Sequence, residues 1–292
     1  MTLNGSAARS VPLRAPAAEA TAWERVRRAR DAARPRASDY LAESFTDFIE
    51  LHGDRAYRDD PAIRAGVARL AGRPVVVVAQ ERGRDHDDQV RRSFGMAFPE
   101  GYRKAERLMR LAEHFGLPVV TLVDTPGAHP GLGAEERGQA GAIARTLACM
   151  ATLRVPTVAV VIGQGGSGGA LALALTDRVL MLEHAFYGVI SPEGCASILW
   201  RSSARAPEAA AALRLTAPEL RAQGIVDEVI PEPRCGIARA PAEAAARVRR
   251  ALDRTLRSLE RLDAAELLAR RAARYTALGA FAVVDAGGEE AP

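Results

Sequence analysis

From Pro99 onward the chain alternates helical and strand-like segments, and it does so twice in one form. Leu117-Pro118 and Val155-Pro156 each open an apolar run that ends in a glycine-rich stretch at the start of a helix. The spacing between them is about 38 residues, room for one strand and its crossover helix. Parallel strands need such crossovers, so the alternation restricts this part of the chain to an α/β fold around a parallel sheet. Two copies make a repetition within one fold, not a solenoid.

Around that centre the pattern predicts a helix over 21–33 and a second over 38–51, opened by Ser38 and carrying Tyr40, Leu41, Phe45, Phe48 and Ile49 at helical spacing. A hairpin is expected over 65–81, turning at Ala71-Gly72-Arg73-Pro74, with a surface loop over 82–92. A helix over 99–115, a strand over 118–124, a helix over 134–153, a strand over 155–162 and a strand over 178–183 follow. Ser191-Pro192 reads as a helix cap followed by N1, with the helix running to Trp200. A last strand is expected over 224–230, then exposed helices laced with Arg and Glu. The organisation expected is a disordered leader over 1–20, a main domain over 21–233, and a helical extension over 234–292 with a frayed end.

Charge and cysteine content exclude several classes. Lys plus Arg number 40 against 36 Asp plus Glu, and a net charge of +4 without aromatic-interleaved stripes is unlike a dedicated nucleic-acid binder. The apolar runs are too short to cross a bilayer, and no export signal is seen, which makes the cytoplasm the expected location. Three widely spaced cysteines, Cys149, Cys195 and Cys235, build neither a disulfide framework nor a four-cysteine zinc site, so no metal is expected on this chain. Every basic residue is arginine except Lys104, which is either compositional bias or a position that needs a compact ammonium.

The densest chemical signal is Gly163-Gln164-Gly165-Gly166-Ser167-Gly168-Gly169. As G-x-G-x-x-G it could be a dinucleotide fingerprint, with Glu183 about twenty residues on, but no complete second nucleotide-binding half follows. As G-x-S-x-G it would place Ser167 on a nucleophile elbow. The only downstream histidine, His184, adjoins Glu183 at the end of the strand expected over 178–183, a poor arrangement for a triad drawn from separate loops. A Walker loop is excluded because no Lys-Ser or Lys-Thr follows. The remaining reading uses backbone N–H groups at a helix N-terminus to hold an anion, and five glycines in seven residues look like more than packing requires.

Taken together, Phe94-Gly-Met96, Pro99-Glu-Gly-Tyr-Arg-Lys104-Ala, Asp124-Thr-Pro-Gly-Ala-His-Pro-Gly131, Gly133-Ala-Glu-Glu-Arg-Gly-Gln139, Gly163 to Ala170 and Ile190-Ser-Pro-Glu-Gly-Cys-Ala-Ser-Ile-Leu-Trp200 resemble the carboxyltransferase α subunit of bacterial acetyl-CoA carboxylase. The resemblance runs from about Ala22 to Pro233 and is weaker in the C-terminal helices. It implies a crotonase-like (ClpP/crotonase) fold of repeated ββα units with flanking N- and C-terminal helices. It also implies an α2β2 assembly with a β subunit that carries zinc and the acyl-CoA site, working with biotin carboxylase and a biotin carboxyl carrier protein. No cofactor would be bound covalently to this chain.

The reaction so implied moves a carboxyl group from carboxybiotin to acetyl-CoA, giving malonyl-CoA for fatty acid synthesis. CO2 leaves the carboxybiotin, and the ureido oxygen left negative would be held by the backbone N–H groups of Gly165 and Gly166. The biotin nitrogen would then take the α-proton of the thioester, so no side-chain base is needed. By the same resemblance Gly127, Ala128, His129, Pro130, Gly131, Gln164, Ser167 and Gly168 line the biotin pocket, and Arg103 and Lys104 meet CoA phosphates or the partner. On this reading Gly166→Val should abolish turnover yet permit assembly. Glu135 and Glu136 suit the positive end of a helix dipole rather than a catalytic role. Two residues depart from the family pattern: His129 replaces a usual Tyr, and Gln164 a usual Glu. They leave open a paralogue serving another acyl-CoA, or a subunit that assembles as a scaffold without activity.

Overall fold

The computed structural model describes residues 20–279. The leader expected over 1–20 therefore lies outside the described residues except for Ala20, as does the frayed end expected of the last dozen.

The chain opens with α1 (Ala22–Ala29), capped by Thr21 and Glu24 in a reciprocal capping box, and α2 (Ala37–Ser44). Strands β1 (Thr46–Glu50), β2 (Ile63–Leu70) and β3 (Arg73–Gln80) form an antiparallel meander. After α3 (His86–Arg91) and α4 (Pro99–His114) the sheet turns parallel with β4 (Val119–Thr125). Helices α5 (Leu132–Glu136) and α6 (Gln139–Thr152) lead to β5 (Thr157–Gly166), and α7 (Ser167–Ala174) leads to β6 (Arg178–Leu182) and β7 (Phe186–Gly188). Then come α8 (Pro192–Trp200), α9 (Ala206–Leu213), α10 (Ala217–Ala222), β8 (Glu228–Ile230), α11 (Pro241–Leu259) and α12 (Ala264–Thr276).

The eight-stranded sheet runs β1-β2-β3-β4-β5-β6-β8, with β7 paired to the far end of β5. Its centre is covered on both faces, which is why β3, β4 and β5 read as continuous rather than alternating apolar runs. Val75 to Ala79 are fully buried, and each such valine stabilises the fold by about 1.5–3 kcal/mol relative to exposure. Helix α4 lays Tyr102, Ala105, Leu108, Met109 and Ala112 into this core, the i, i+3, i+4 stripe expected of it.

Four expectations need correction. The helix expected over 38–51 stops at Ser44, because Phe45 is extended and Thr46–Glu50 adds an edge strand, with Ile49 opposite Val67 and Glu50 opposite Gly66. The apolar spacing there does not report burial, since Ile49 is 61% exposed. The loop expected over 82–92 contains α3, capped by Asp85. The single helix expected over 134–153 is broken at Gly138, whose backbone (φ 80°, ψ 52°) is left-handed and unstrained only for glycine. The C-terminal helices are not merely solvent-laced: α11 buries Val248, Leu252, Leu256 and Leu259 in the same core as the sheet.

Two buried arginines tie distant segments together. Arg34 donates through Nε to the Ile162 carbonyl (2.8 Å) and pairs with Glu232 (2.6 Å). Arg271 of α12 pairs with Asp177 through two nitrogens, both at 2.8 Å, and donates to the carbonyls of Met150, Leu153 and Val155. Three free cysteines are present, and burial pushes the Cys149 thiol up to about 11. Among the described residues no helix is long and apolar enough to cross a membrane, and no cluster of His, Cys, Asp and Glu is arranged to hold a metal ion.

Candidate active site

Both glycine-rich stretches singled out in the sequence end strands of the parallel sheet, β4 and β5, and the fold brings them together at the carboxyl edge, where open α/β sheets place ligands. The stretch Gly163–Gly169 is not a loop. Strand β5 continues through Gly166 and α7 begins at Ser167, whose backbone is left-handed (φ 54°), a costly conformation for a non-glycine residue. No side chain caps α7, so the N–H groups of its first turn have no side-chain acceptor.

The facing wall is Pro126–Gly131. A Cβ at Gly166 would overlap the Pro126 carbonyl, and one at Gly169 would lie 2.6 Å from the Ala128 nitrogen and 2.8 Å from the Tyr102 hydroxyl. Cβ atoms at Gly163 and Gly165 would meet Asp124 (2.5 Å) and Tyr187 (2.8 Å). The argument that five glycines exceed the needs of packing therefore does not hold: close approach accounts for four of them, and only Gly168 has ordinary room, 3.9 Å from Ile143.

Asp124, buried at the end of β4, fixes the register of the two walls. Its Oδ1 accepts the Gln164 N–H (2.9 Å), and its own N–H donates to Gln80 Oε1 (3.2 Å). Gln80 Nε2 in turn donates to the Gly169 carbonyl (2.8 Å), so this one fully buried amide clamps the end of β4 to the first turn of α7. Gln80→Leu would take the acceptor from the buried Asp124 N–H and the side-chain donor from the Gly169 carbonyl, a cost of about 1–3 kcal/mol. Urea denaturation should show a midpoint lowered accordingly; an unchanged midpoint would mean that the clamp contributes nothing.

The other expected residues fall as follows. Thr125 Oγ1 closes the wall by donating to the Gly127 carbonyl (2.6 Å) and accepting its N–H (3.1 Å). Gly127 is buried, Ala128, His129 and Gly131 are half-buried, and Pro130 is exposed. Gln164 is buried and its Oε1 accepts from Arg30 Nε (3.3 Å), while Arg30 pairs with Glu193 (2.6 Å) and thereby holds the Glu193 carboxyl below its usual range. Ser167 is exposed and Gly168 half-buried. The His184 ring lies between Arg25 (3.2 Å from Nδ1) and Arg28 (2.8 Å from Nε2), one of which donates to its unprotonated nitrogen, so the ring is engaged by α1 and not by Ser167, which removes the hydrolase reading.

Arg103 and Lys104 lie elsewhere than a ligand surface would require. Lys104 is 1% exposed and donates to Asp59 (2.6 Å) and to the Asp60 carbonyl (2.7 Å). Burial raises the Asp59 pKa, but the ammonium and the N–H of Gly53 outweigh it and hold the carboxyl down to about 2. Arg103 is spent on Asp54 (2.8 Å), Glu100 (3.2 Å) and the Arg137 carbonyl (3.3 Å). Arg103 serves an internal network around the buried Glu100 and Lys104 a separate one at Asp59 and Asp60, so the CoA contact expected of them finds no free head group here. The sequence reasoning missed Gln80, Arg30 and Glu193; only Glu193 stood inside a quoted motif.

A parallel sheet that opposes two glycine-rich strand ends across one cleft is the arrangement of the crotonase-like fold. The structure superposes on transcarboxylase 12S with a TM-score of 0.62 at 22% identity, covering 88% of this chain and 45% of that one. A chain of a Pseudomonas malonate decarboxylase hetero-tetramer gives 0.61 at 21% identity, covering 74% and 88%. In sequence, the family described as acetyl co-enzyme A carboxylase carboxyltransferase-like matches residues 13–279. The acetyl-coenzyme A carboxylase carboxyl transferase subunit alpha of Burkholderia multivorans is 56% identical over 264 residues, 90% of this chain and 82% of that protein. The protein of the same name from Halorhodospira halophila is 56% identical over 259 residues, 89% and 81%. The chain belongs to this family of carboxyltransferase α subunits.

Proposed function

We propose that this chain is the α half of an acetyl-CoA carboxylase carboxyltransferase, transferring the carboxyl group of carboxybiotin on a carrier protein to acetyl-CoA. The observation that carries the proposal is the packing of Pro126–Gly127 onto Gly166 and Gly169, which makes one cleft of two stretches about 38 residues apart in sequence. The backbone N–H groups at the Gly165–Gly166 end of β5, backed by the uncapped first turn of α7, are suited to hold an oxyanion; one such donor is typically worth about 10²–10³ in rate. Extended backbone turns successive N–H groups to opposite edges, so Gly166 with α7 supplies one side of that cradle and Gly165 lies in the strand behind it. Asp124, the carboxylate at this strand end, is spent on the Gln164 N–H, and among the described residues no other carboxylate or imidazole hydrogen-bonds there as a general base would, which suits a reaction whose proton acceptor arrives with the substrate.

The partner is a β subunit holding zinc and the thioester site, in an α2β2 assembly, with biotin carboxylase and the carrier protein in the wider cytoplasmic complex. Leu132, Val189, Ile198 and Leu199 are 61–75% exposed, apolar area that a partner would cover. The test is transfer of labelled carboxyl from carboxybiotin to acetyl-CoA and propionyl-CoA, with α and β chains together and with each omitted. Product only from the pair, and preferentially malonyl-CoA, is expected. An assembled complex that carboxylates neither thioester would overturn the assignment.

A further inference from the structure

We propose that His129 is a pre-set hydrogen-bond donor of the cleft, offering its Nε2–H to an oxygen of the urea or carboxylate kind on the group the Gly127–Gly131 wall receives. The proposal rests on the reading of that wall as part of the biotin site.

Every other polar group of the residue is already engaged. Its N–H donates to the Ala97 carbonyl (3.1 Å), and its carbonyl accepts from Gln139 Nε2 (3.0 Å), which also reaches Ala97 (2.8 Å). The ring stacks on Phe98 with centroids 3.9 Å apart and planes 21° from parallel. Nδ1 accepts the Gly131 N–H at 3.0 Å. An imidazole nitrogen that accepts a hydrogen bond carries no proton, so the neutral ring must keep its proton on Nε2. Nε2 has no partner among the described residues. Gly131 serves the arrangement twice: it supplies the N–H, and it leaves the space, since a Cβ there would lie 2.6 Å from His129 Cε1. Burial and, after it, the Arg137 guanidinium keep the ring neutral by lowering its pKa from the ordinary 6.5.

The result is one donor, fixed in tautomer by Gly131 and in plane by Phe98, on the wall that faces the oxyanion-holding edge. A neutral donor recognises an acceptor oxygen without adding charge beside Arg137. Tyrosine, the residue the family resemblance places here, also ends in a hydroxyl donor, so the substitution keeps the donor while changing its reach.

Two experiments separate this from the reading beneath it. In the full chain labelled with 15N-histidine, with His129 assigned by loss of its signals in His129→Phe, Nδ1 should resonate as an acceptor and Nε2 as protonated. Gly131→Ala, which keeps the histidine, should return a tautomer mixture; a mixture or an Nδ1–H ring in the unsubstituted chain overturns the lock. In the reconstituted α/β complex, His129→Phe should raise the KM for carboxybiotin about five- to tenfold and leave that for acyl-CoA unchanged, the effect of one lost hydrogen bond. His129→Tyr should recover most of the loss. Transfer by His129→Phe equal to that of the unsubstituted complex overturns the donor role while leaving the carboxyltransferase assignment intact. Absence of transfer by the unsubstituted complex removes that assignment and this proposal with it.

Discussion

Gly166→Ala is expected to lower carboxyl transfer by at least about 10²-fold, the loss associated with one misplaced oxyanion donor. The added Cβ would overlap the Pro126 carbonyl, and because that atom is backbone it cannot swing aside as a side-chain tip would. The wall must shift, carrying Gly127 and Ala128 off α7, at a cost of about 1–3 kcal/mol in stability. The sequence alone suggested that Gly166→Val would silence turnover and leave assembly untouched. With Pro126 directly against it, valine is expected to impair folding as well, so alanine is the informative change. Gly141→Ala is the control: this glycine lies within α6, exposed, and its Cβ would lie 3.6 Å from Arg145 Nη1. It should gain up to about 1 kcal/mol from helix propensity with transfer unchanged. Transfer by Gly166→Ala within threefold of the parent, in a complex of normal melting temperature, would contradict the placement of the oxyanion site.

Arg271→Leu should cost about 3–5 kcal/mol, the range for removing one partner of a buried ion pair. The loss would strand the Asp177 carboxylate, 4% exposed, and free the carbonyls of Met150, Leu153 and Val155 from their donor. Asp177 also accepts the N–H and hydroxyl of Thr157, the first residue of β5, so the damage reaches the root of the strand whose far end is the candidate site. Equilibrium unfolding in urea is the measurement. A midpoint unchanged from the parent would show α12 to be dispensable to the core, and would also predict that a chain ending near residue 262 folds normally. Arg271→Lys tests the fork geometry: a single ammonium cannot reach both carboxylate oxygens and three carbonyls, so only partial recovery is expected.

How much was legible follows from where the information sits. The hairpin of β2 and β3, the helix α4, the alternation from β4 to β6 and the Ser191 cap were readable because each is a local pattern, an apolar period or a capping residue, that burial later ratified. The failure over 38–51 has the opposite origin. Phe45, Phe48 and Ile49 have helical spacing, but an open sheet edge at β2 recruited Thr46–Glu50, and pairing energy is not written in the segment's own period. The glycines were found, and their proximity to a second wall was not foreseeable, because Gly166 and Pro126 are separated by a whole crossover.

The sequence by itself determined the fold class, the parallel order of the central strands and the family, since these rest on periodicity and on motifs that are contiguous in the chain. Tertiary structure alone decided that Gly166 packs on Pro126, that Gln80 clamps β4 to α7, that Lys104 is spent inside on Asp59 and that Arg271 anchors the last helix. Each is a contact between residues more than thirty positions apart. Such contacts depend on how strands stack and which cations are desolvated together, and a one-dimensional pattern carries no record of either.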